Sequence, residues 1–320
     1  MRELQRGRMP RGSRPPTLCL LFLVPTAACL EGIQNFRRVS PSLPGLYRSA
    51  ALERATAADA AFLLDGAKIR TIIDLRNDDE IDRARARDST AFGRAIIEAY
   101  DRRAPVGSGE LASEGSGTLR RVHVPILQDV DGFFDAVDAQ LSPAKKAQAL
   151  AYKAFDMKRY NQLLYDEVAN GRQQLLYTLM LQTSAEWERA LSLAADRRHG
   201  AVLIHCAQGK DRTGVLAALL QHAAGDAEAD IVASYASSEQ LLSRPSTATA
   251  ARAEEASQSP PQDEKGAAVD WSALRGSPPE AMARTLEWLR KEHGAIDNFL
   301  ASVGCREQWR QMLLRPPPFG

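Results

Sequence analysis

The sequence predicts an α/β fold. Three observations carry this. A short β-branched run, IRTIIDL at 69–75, reads as a buried strand, and a continuous apolar run, AVLIHC at 201–206, is too short for a helix and reads as a central strand. Helical patterns precede, separate and follow these runs, which is the alternation of an α/β protein.

Along the chain, Arg2, Arg6, Arg8, Arg11 and Arg14 precede an apolar run at 18–24, then Pro25 and the small residues Thr26, Ala27 and Ala28. Residues 1–28 read as a signal peptide, an Arg-rich transit peptide or a basic tail. A cytoplasmic location is the leading expectation, with secretion or organelle import as the alternative. Residues 52–66 read as helix, with Thr56 and Asp59 as a capping box and Gly66 as the stop. The Pro, Gly and Ser of 104–118 predict a loop, and RVHVPIL at 121–127 a second strand with Pro125 near an edge or end. Residues 131–160 are amphipathic and form either a lid or a surface insertion. A long helix is expected over 173–195. TGVLAALLQHAAG at 213–225 is an apolar helix stopped by Gly225, and 243–270, rich in Ser, Pro, Ala and charge, is a flexible insertion. Helices return at 279–293, 295–303 and 307–314. No segment is long and apolar enough for a confident transmembrane helix.

The 320 residues suit one large domain, expected over 29–316 with insertions at 128–175 and 243–275. A formal net charge of +1 offers no global field for nucleic acid or anionic membranes, so any attraction for phosphate must be local. The four cysteines, Cys19, Cys29, Cys206 and Cys305, are scattered without a CxxC or Cys/His cluster. Neither a zinc site nor a disulfide scaffold is expected.

The chemistry concentrates in HCAQGKDRTG, 205–214. A buried strand ends, a tight loop containing Gly209 follows, and a helix begins near Thr213. Such a junction gathers free N–H groups and the positive end of a helix at one point, which makes an anion site. Cys206 opens the loop, where this field favours the thiolate. Five residues later Arg212 can grip two phosphate oxygens with its planar fork. The expected reaction is in-line attack by Cys206 on phosphorus, giving a phosphocysteine that water then hydrolyses. The main chain of Ala207, Gln208, Gly209 and Lys210 would hold the phosphate. Thr213 would assist the sulfur, Lys210 would add charge at the rim, and Asp211 would protonate the leaving oxygen. His205 is expected to shape the loop rather than act as a base. A Walker A loop does not fit, because no first Gly precedes Gly209 and Lys210 at the required spacing.

These residues resemble the loop of protein tyrosine phosphatases, in particular the HCxxGKDRTG branch of bacterial and fungal-type tyrosine and dual-specificity enzymes. GIQNFRRVS at 32–40, PGLYRSAAL at 44–52, IRTIIDLRNDDEI at 69–81, IVASYASSEQ at 231–240 and HGAIDNFLASVGCREQWRQMLL at 293–314 resemble other segments of that branch, with Arg38 where Asp is usual. The resemblance implies a four- or five-stranded, mostly parallel sheet flanked by helices. It implies Cys206 as nucleophile, Arg212 as phosphate clamp and Asp211 as the leading general acid, with Asp129 and then Asp131 as rivals near a mobile acid loop. No metal or cofactor is implied. Asp74 and Arg76 read as a structural ion pair, Arg48 as a brace or a phosphate contact, and Cys305 as a helix residue rather than a resolving thiol.

The expected substrate is phosphotyrosine in a protein, with phosphoserine and phosphothreonine as a wider range. A phosphoinositide is the alternative, which Lys210 would suit. A non-catalytic phosphate-binding pseudophosphatase, and a sulfur-transfer or arsenate-reducing enzyme, are readings of other classes.

Overall fold

A computed structural model describes residues 30–85, 90–98, 109–113, 117–183, 185–244, 274–305 and 307–315. The basic segment 1–28 and most of the insertion 243–275 lie outside these. The six strands are β1 (Arg37–Arg38), β2 (Leu46–Ser49), β3 (Ile69–Asp74), β4 (Gly109–Ser113), β5 (Gly117–His123) and β6 (Ala201–His205), in the sheet order β1-β2-β6-β3-β5-β4. The four central strands are parallel; β1 and β4 add antiparallel edges. β6 sits between β2 and β3 and is buried along its whole length, as its unbroken apolar run predicts.

Two strand expectations change. Residues 104–118, read as a loop, contain β4, which main-chain pairing to β5 makes into a strand. The strand expected at 121–127 begins at Gly117 and ends at His123, and Val124 and Ile126 instead donate to the carbonyls of Asp74 and Leu75.

Side chains alternate across the sheet. Leu203, Ile69 and Ile72 pack on one face with Phe36, Tyr47 and Leu63. That face holds α1 (Ala57–Ala61), which starts with the expected Thr56–Asp59 box and runs into a π-helical turn, Phe62–Gly66. Val202, Ile204, Cys206 and Ile73 face the other way, into a larger core. This core holds α7 (Trp187–Ala195), α8 (Arg212–Ala224), α9 (Glu228–Leu242), α10 (Pro279–His293), α11 (Ile296–Ser302) and α12 (Glu307–Leu314). Between them in sequence, α2 (Asp78–Arg85) follows β3 and α3 (Ala91–Glu98) follows α2. α8 ends at Gly225 in a left-handed conformation, φ 85°.

The amphipathic stretch forms α4 (Val130–Gln140), α5 (Pro143–Phe155) and α6 (Met157–Thr183). Phe133, Val137, Leu141, Ala149, Tyr160, Leu164, Val168 and Leu179 give these helices a core of their own. The helix expected over 173–195 is two helices, α6 and α7, parted by a turn at 185–186. No helix among the described residues is long and apolar enough to cross a membrane.

Candidate active site

β6 delivers Cys206 at the carboxyl edge of the sheet, and α8 starts at Arg212. The loop between them is fixed from behind through its carbonyl groups. Ala51 N–H donates to the Ala207 carbonyl at 3.1 Å, and Asn35 Nδ2 donates to Gln208 O at 2.9 Å and Gly209 O at 3.0 Å. Arg48 Nη2 donates to Gly209 O at 2.7 Å and Lys210 O at 3.5 Å. In a trans peptide the C=O of one residue and the N–H of the next point in opposite directions, and no peptide here is cis. Turning the carbonyls of 207–210 inward therefore aims the N–H groups of Gln208, Gly209, Lys210 and Asp211 at the opposite, concave side. The N-terminus of α8 opens onto the same loop.

Gly209 makes this close seating possible. Its φ is 65°, and a Cβ there would lie 2.0 Å from the Ser49 carbonyl oxygen. Arg48 is fully buried in β2. Burial lowers its pKa to about 10, against the pull of Cys206, Tyr235, Tyr177 and Asp211. Its role is therefore to brace the loop from behind. Arg37 in turn holds Asn35 through the Asn35 carbonyl and side-chain oxygen, and reaches Ser234 O and Ser238 Oγ at 2.8 Å. Asn35 itself sits at φ 59°, where Asn is among the tolerated residues.

Arg212 faces Glu80 of α2 in a two-point ion pair, with Nη2–Oε1 at 2.7 Å and Nη1 on Oε2. Burial works against the Arg212 charge, but Glu80, with Cys206 and Asp211 beyond it, keeps the pKa above the ordinary arginine value. Burial likewise opposes the Glu80 charge, and the Arg212 bonds outweigh it to leave that carboxyl lower than usual. Glu80 is set by a reciprocal cap: its Oε2 accepts from Asn77 N–H at 3.0 Å, and its own N–H donates to Asn77 Oδ1 at 2.9 Å.

Asp211 stands just before α8 without capping it. Its Oδ1 accepts from the Tyr177 hydroxyl at 2.6 Å, and Tyr235 Oη lies 2.7 Å from Tyr177 Oη. Because Tyr177 gives its one proton to Asp211, Tyr235 donates to Tyr177. α6 and α9 thus feed a two-tyrosine chain into the loop carboxylate. Burial, first of all, and then the Asp211 charge push the Tyr177 pKa well above normal, so its hydroxyl stays a donor. Asp129, the rival acid, is exposed and caps α4 by accepting from Gly132 N–H at 2.8 Å.

Lys210 is not at the rim. Its side chain is 3% exposed, and its ammonium donates to the carbonyls of Leu274 and Gly276, both at 2.7 Å, with Asp211 Oδ1 at 3.5 Å. Thr213 is fully buried, and its hydroxyl has no hydrogen-bond partner among the described residues. Behind Cys206, the His205 ring lies 3.3 Å from the Cys206 carbonyl and 3.6 Å from Asp74 Oδ2. Burial pushes the His205 pKa below 6.5 despite Asp74. Asp74 and Arg76 form the expected ion pair, Nη2–Oδ2 2.7 Å, with Glu53 on the far side of Arg76. Burial raises the Asp74 carboxyl, but Arg76 and His205 hold it well below the carboxylate range. Cys305, half-buried, is pushed up to about 11 by burial, which suits an inert thiol.

A sequence profile of the tyrosine phosphatase family matches residues 30–315. The chain belongs to this family. A tyrosine-protein phosphatase from Nostoc commune is 33% identical over 129 residues, covering 40% of this chain and 42% of that relative. The family match spans β1 to α12, so it takes in the loop, both of its arginine partners and the helices behind it. Within this family member, sequence reasoning found Cys206, Arg212 and Asp211 together on one loop. It missed Glu80, Tyr177 and Tyr235 and had no role for Asn35. The signals available were the Asn77-x-x-Glu80 cap spacing and the quoted segments around Asn35, Glu80 and Tyr235; Tyr177 had none.

Proposed function

We propose that the chain is a cysteine-dependent phosphatase acting on phosphotyrosine, with residues 29–316 as one catalytic domain. The observation that carries this is the set of tied carbonyls at 207–210, which by trans-peptide geometry turns four consecutive N–H groups to the other side of the loop between Cys206 and Arg212. That is a cradle for the equatorial oxygens of a phosphoryl group.

The thiolate of Cys206 attacks phosphorus from the strand side. The S–P bond forms as the bond to the leaving oxygen breaks, and Asp211 gives that oxygen its proton. Water then attacks the phosphocysteine, Asp211 takes the proton back, and the S–P bond breaks to release phosphate. Arg212 holds two phosphoryl oxygens throughout. Tyr177 supports Asp211 in this role by fixing Oδ1, which leaves Oδ2 to carry the proton. Asp129 is already engaged as a helix cap, which favours Asp211 as the acid. The buried ammonium of Lys210 removes the charge that a phosphoinositide ring phosphate would meet at the pocket mouth, so the protein substrate is favoured.

The test is hydrolysis of a phosphotyrosine peptide beside soluble phosphoinositides, in chelator, by wild type and Cys206→Ser. Peptide turnover that disappears in the variant is the expected result. Full turnover by Cys206→Ser rejects the mechanism, and turnover confined to phosphoinositides rejects the substrate.

A further inference from the structure

Four large apolar side chains are strongly exposed among the described residues, and three of them fall within eight positions: Leu150 at 72%, Phe155 at 92% and Met157 at 51%. They sit where α5 turns into α6. At about 100° per residue, α5 divides cleanly. Ala149 and Tyr152 pack toward α6, and Lys145 pairs there with Glu167 at 2.7 Å. The opposite arc, roughly 140° wide by the same spacing, carries Pro143, Ala144, Ala147, Leu150, Ala151, Ala154 and Phe155, all exposed. A helix that buries one side on its neighbour should show polar residues on the other; this one shows an apolar face to solvent.

One edge of that face is basic, with Lys146 and Lys153 on it, and the other carries Gln148. Residues 143–159 hold Lys145, Lys146, Lys153, Lys158 and Arg159 against Asp156, with Lys145 paired to Glu167 of α6 and Arg159 to Asp156, in a chain whose formal net charge is +1. The local surplus exceeds that of the whole protein. Lys146, Lys153, Lys158 and Arg159 are exposed; the Lys153 ammonium sits over the Tyr160 ring at 5.1 Å, and the Arg159 guanidinium over the Tyr152 ring at 5.9 Å.

We propose that the outer face of α5, with Phe155 and Met157 at its tip, docks on an anionic lipid bilayer. The occupant follows from the shape and the charge together. The face is a single convex helix edge, not a groove, so it offers a protein partner little area to enclose. Lysines are depleted from protein–protein interface cores, whereas a helix with large apolar side chains and flanking lysines suits the headgroup boundary of an anionic membrane. Lysine stems lie along the acyl boundary and their ammonium groups reach the headgroups. With alanine at most of the buried positions, affinity depends on Leu150, Phe155, Met157 and charge, so binding is reversible and salt-sensitive. The tip lies about 30 Å along α6 from Tyr177, at 1.5 Å per residue, so docking and the loop are separate. The inference stands whatever the loop's substrate is.

The experiment is co-sedimentation of the full chain with vesicles of phosphatidylserine in phosphatidylcholine, and with phosphatidylcholine alone. Wild type is compared with Leu150→Ser/Phe155→Ser and with Lys146→Glu/Lys158→Glu. Each double variant is expected to lower the partition coefficient for anionic vesicles about tenfold, with the thermal midpoint unchanged because all four positions are exposed. Equal binding to neutral vesicles overturns the proposal. So does unchanged binding by the two double variants, whatever else in the chain holds the vesicles. Self-association of wild type at the same concentrations, lost in Leu150→Ser/Phe155→Ser, also overturns it and assigns the face to a second copy.

Discussion

On the inner side of the loop Arg48 donates to the main-chain oxygens of Gly209 and Lys210; on the outer side Arg212 meets the carboxylate of Glu80. Both arginines are buried in charged form, yet burial dominates for Arg48 and lowers its pKa, while Glu80 reverses that sign for Arg212. The difference separates anchoring from function. Arg48 spends its donors on neutral oxygens that never leave, and its Nε has no partner. Arg212 is held by a counter-ion that keeps the guanidinium charged and fixes its orientation, and under the proposed function that preorganises it for a phosphate dianion.

The largest expected effect separates the two arginines. Arg212→Lys should lower kcat/KM for a phosphotyrosine peptide by about 10²–10³-fold, since a point charge replaces the fork, and lower unfolding free energy by less than Arg48→Met does, since Glu80 keeps a counter-charge. Arg48→Met should do the reverse first: it strands the carbonyls of Gly209 and Lys210 and lowers stability by about 2–4 kcal/mol, read from urea midpoints. If Arg48→Met left stability untouched, the anchoring role would fall. Next, Glu80→Gln keeps the cap to Asn77 but removes the counter-charge, and should reduce kcat about tenfold, the worth of one charge-assisted hydrogen bond. Equal kcat in that variant would mean that Arg212 needs no orienting partner.

Tyr177→Phe touches the loop from a third direction. It should slow alkyl phosphates about three- to tenfold and aryl phosphates with good leaving groups less, because only the former depend on the proton of Asp211. An equal loss on both would make Tyr177 a packing residue. The smallest effect concerns His205. Its folded pKa lies below 6.5, so the unfolded chain takes up the proton first as pH falls. The stability contributed by the neutral ring is present above about pH 6.5 and is lost below it. Urea midpoints of His205→Asn should therefore fall less than those of wild type between about pH 6.5 and 5.

Local signals made much of this legible. The apolar run of β6, the β-branched run of β3, the Thr56–Asp59 cap and the Gly225 stop are written within a few neighbouring residues, and all lie where the sequence puts them. β1 and β2 are not legible: Arg-Arg and Leu-Tyr-Arg-Ser show no clean alternation, and only pairing, of β2 to β6 and of β1 to β2, makes them strands. The loop was readable because nucleophile, glycine and arginine lie on one short segment. Its supports were not, because Glu80 is 132 residues from Arg212 and Tyr177 is 34 from Asp211, each on a helix whose pattern reports packing. Lys210 was misplaced for a related reason. Residue type advertises its charge, but the carbonyls of Leu274 and Gly276 decide where the charge goes.

The proposed anion cradle is built from main-chain N–H groups, and this shapes how the site can vary over time. Substituting a side chain cannot delete a peptide N–H, unless proline is introduced. Gly209 is barred by contact with Ser49, and Lys210 and Thr213 are sealed inside. Ala207 and Gln208, partly and fully exposed, are the positions left free to drift. Under the proposed function, preference among phosphate esters can therefore change there by single substitutions, while the main-chain cradle passes unaltered from one descendant to the next.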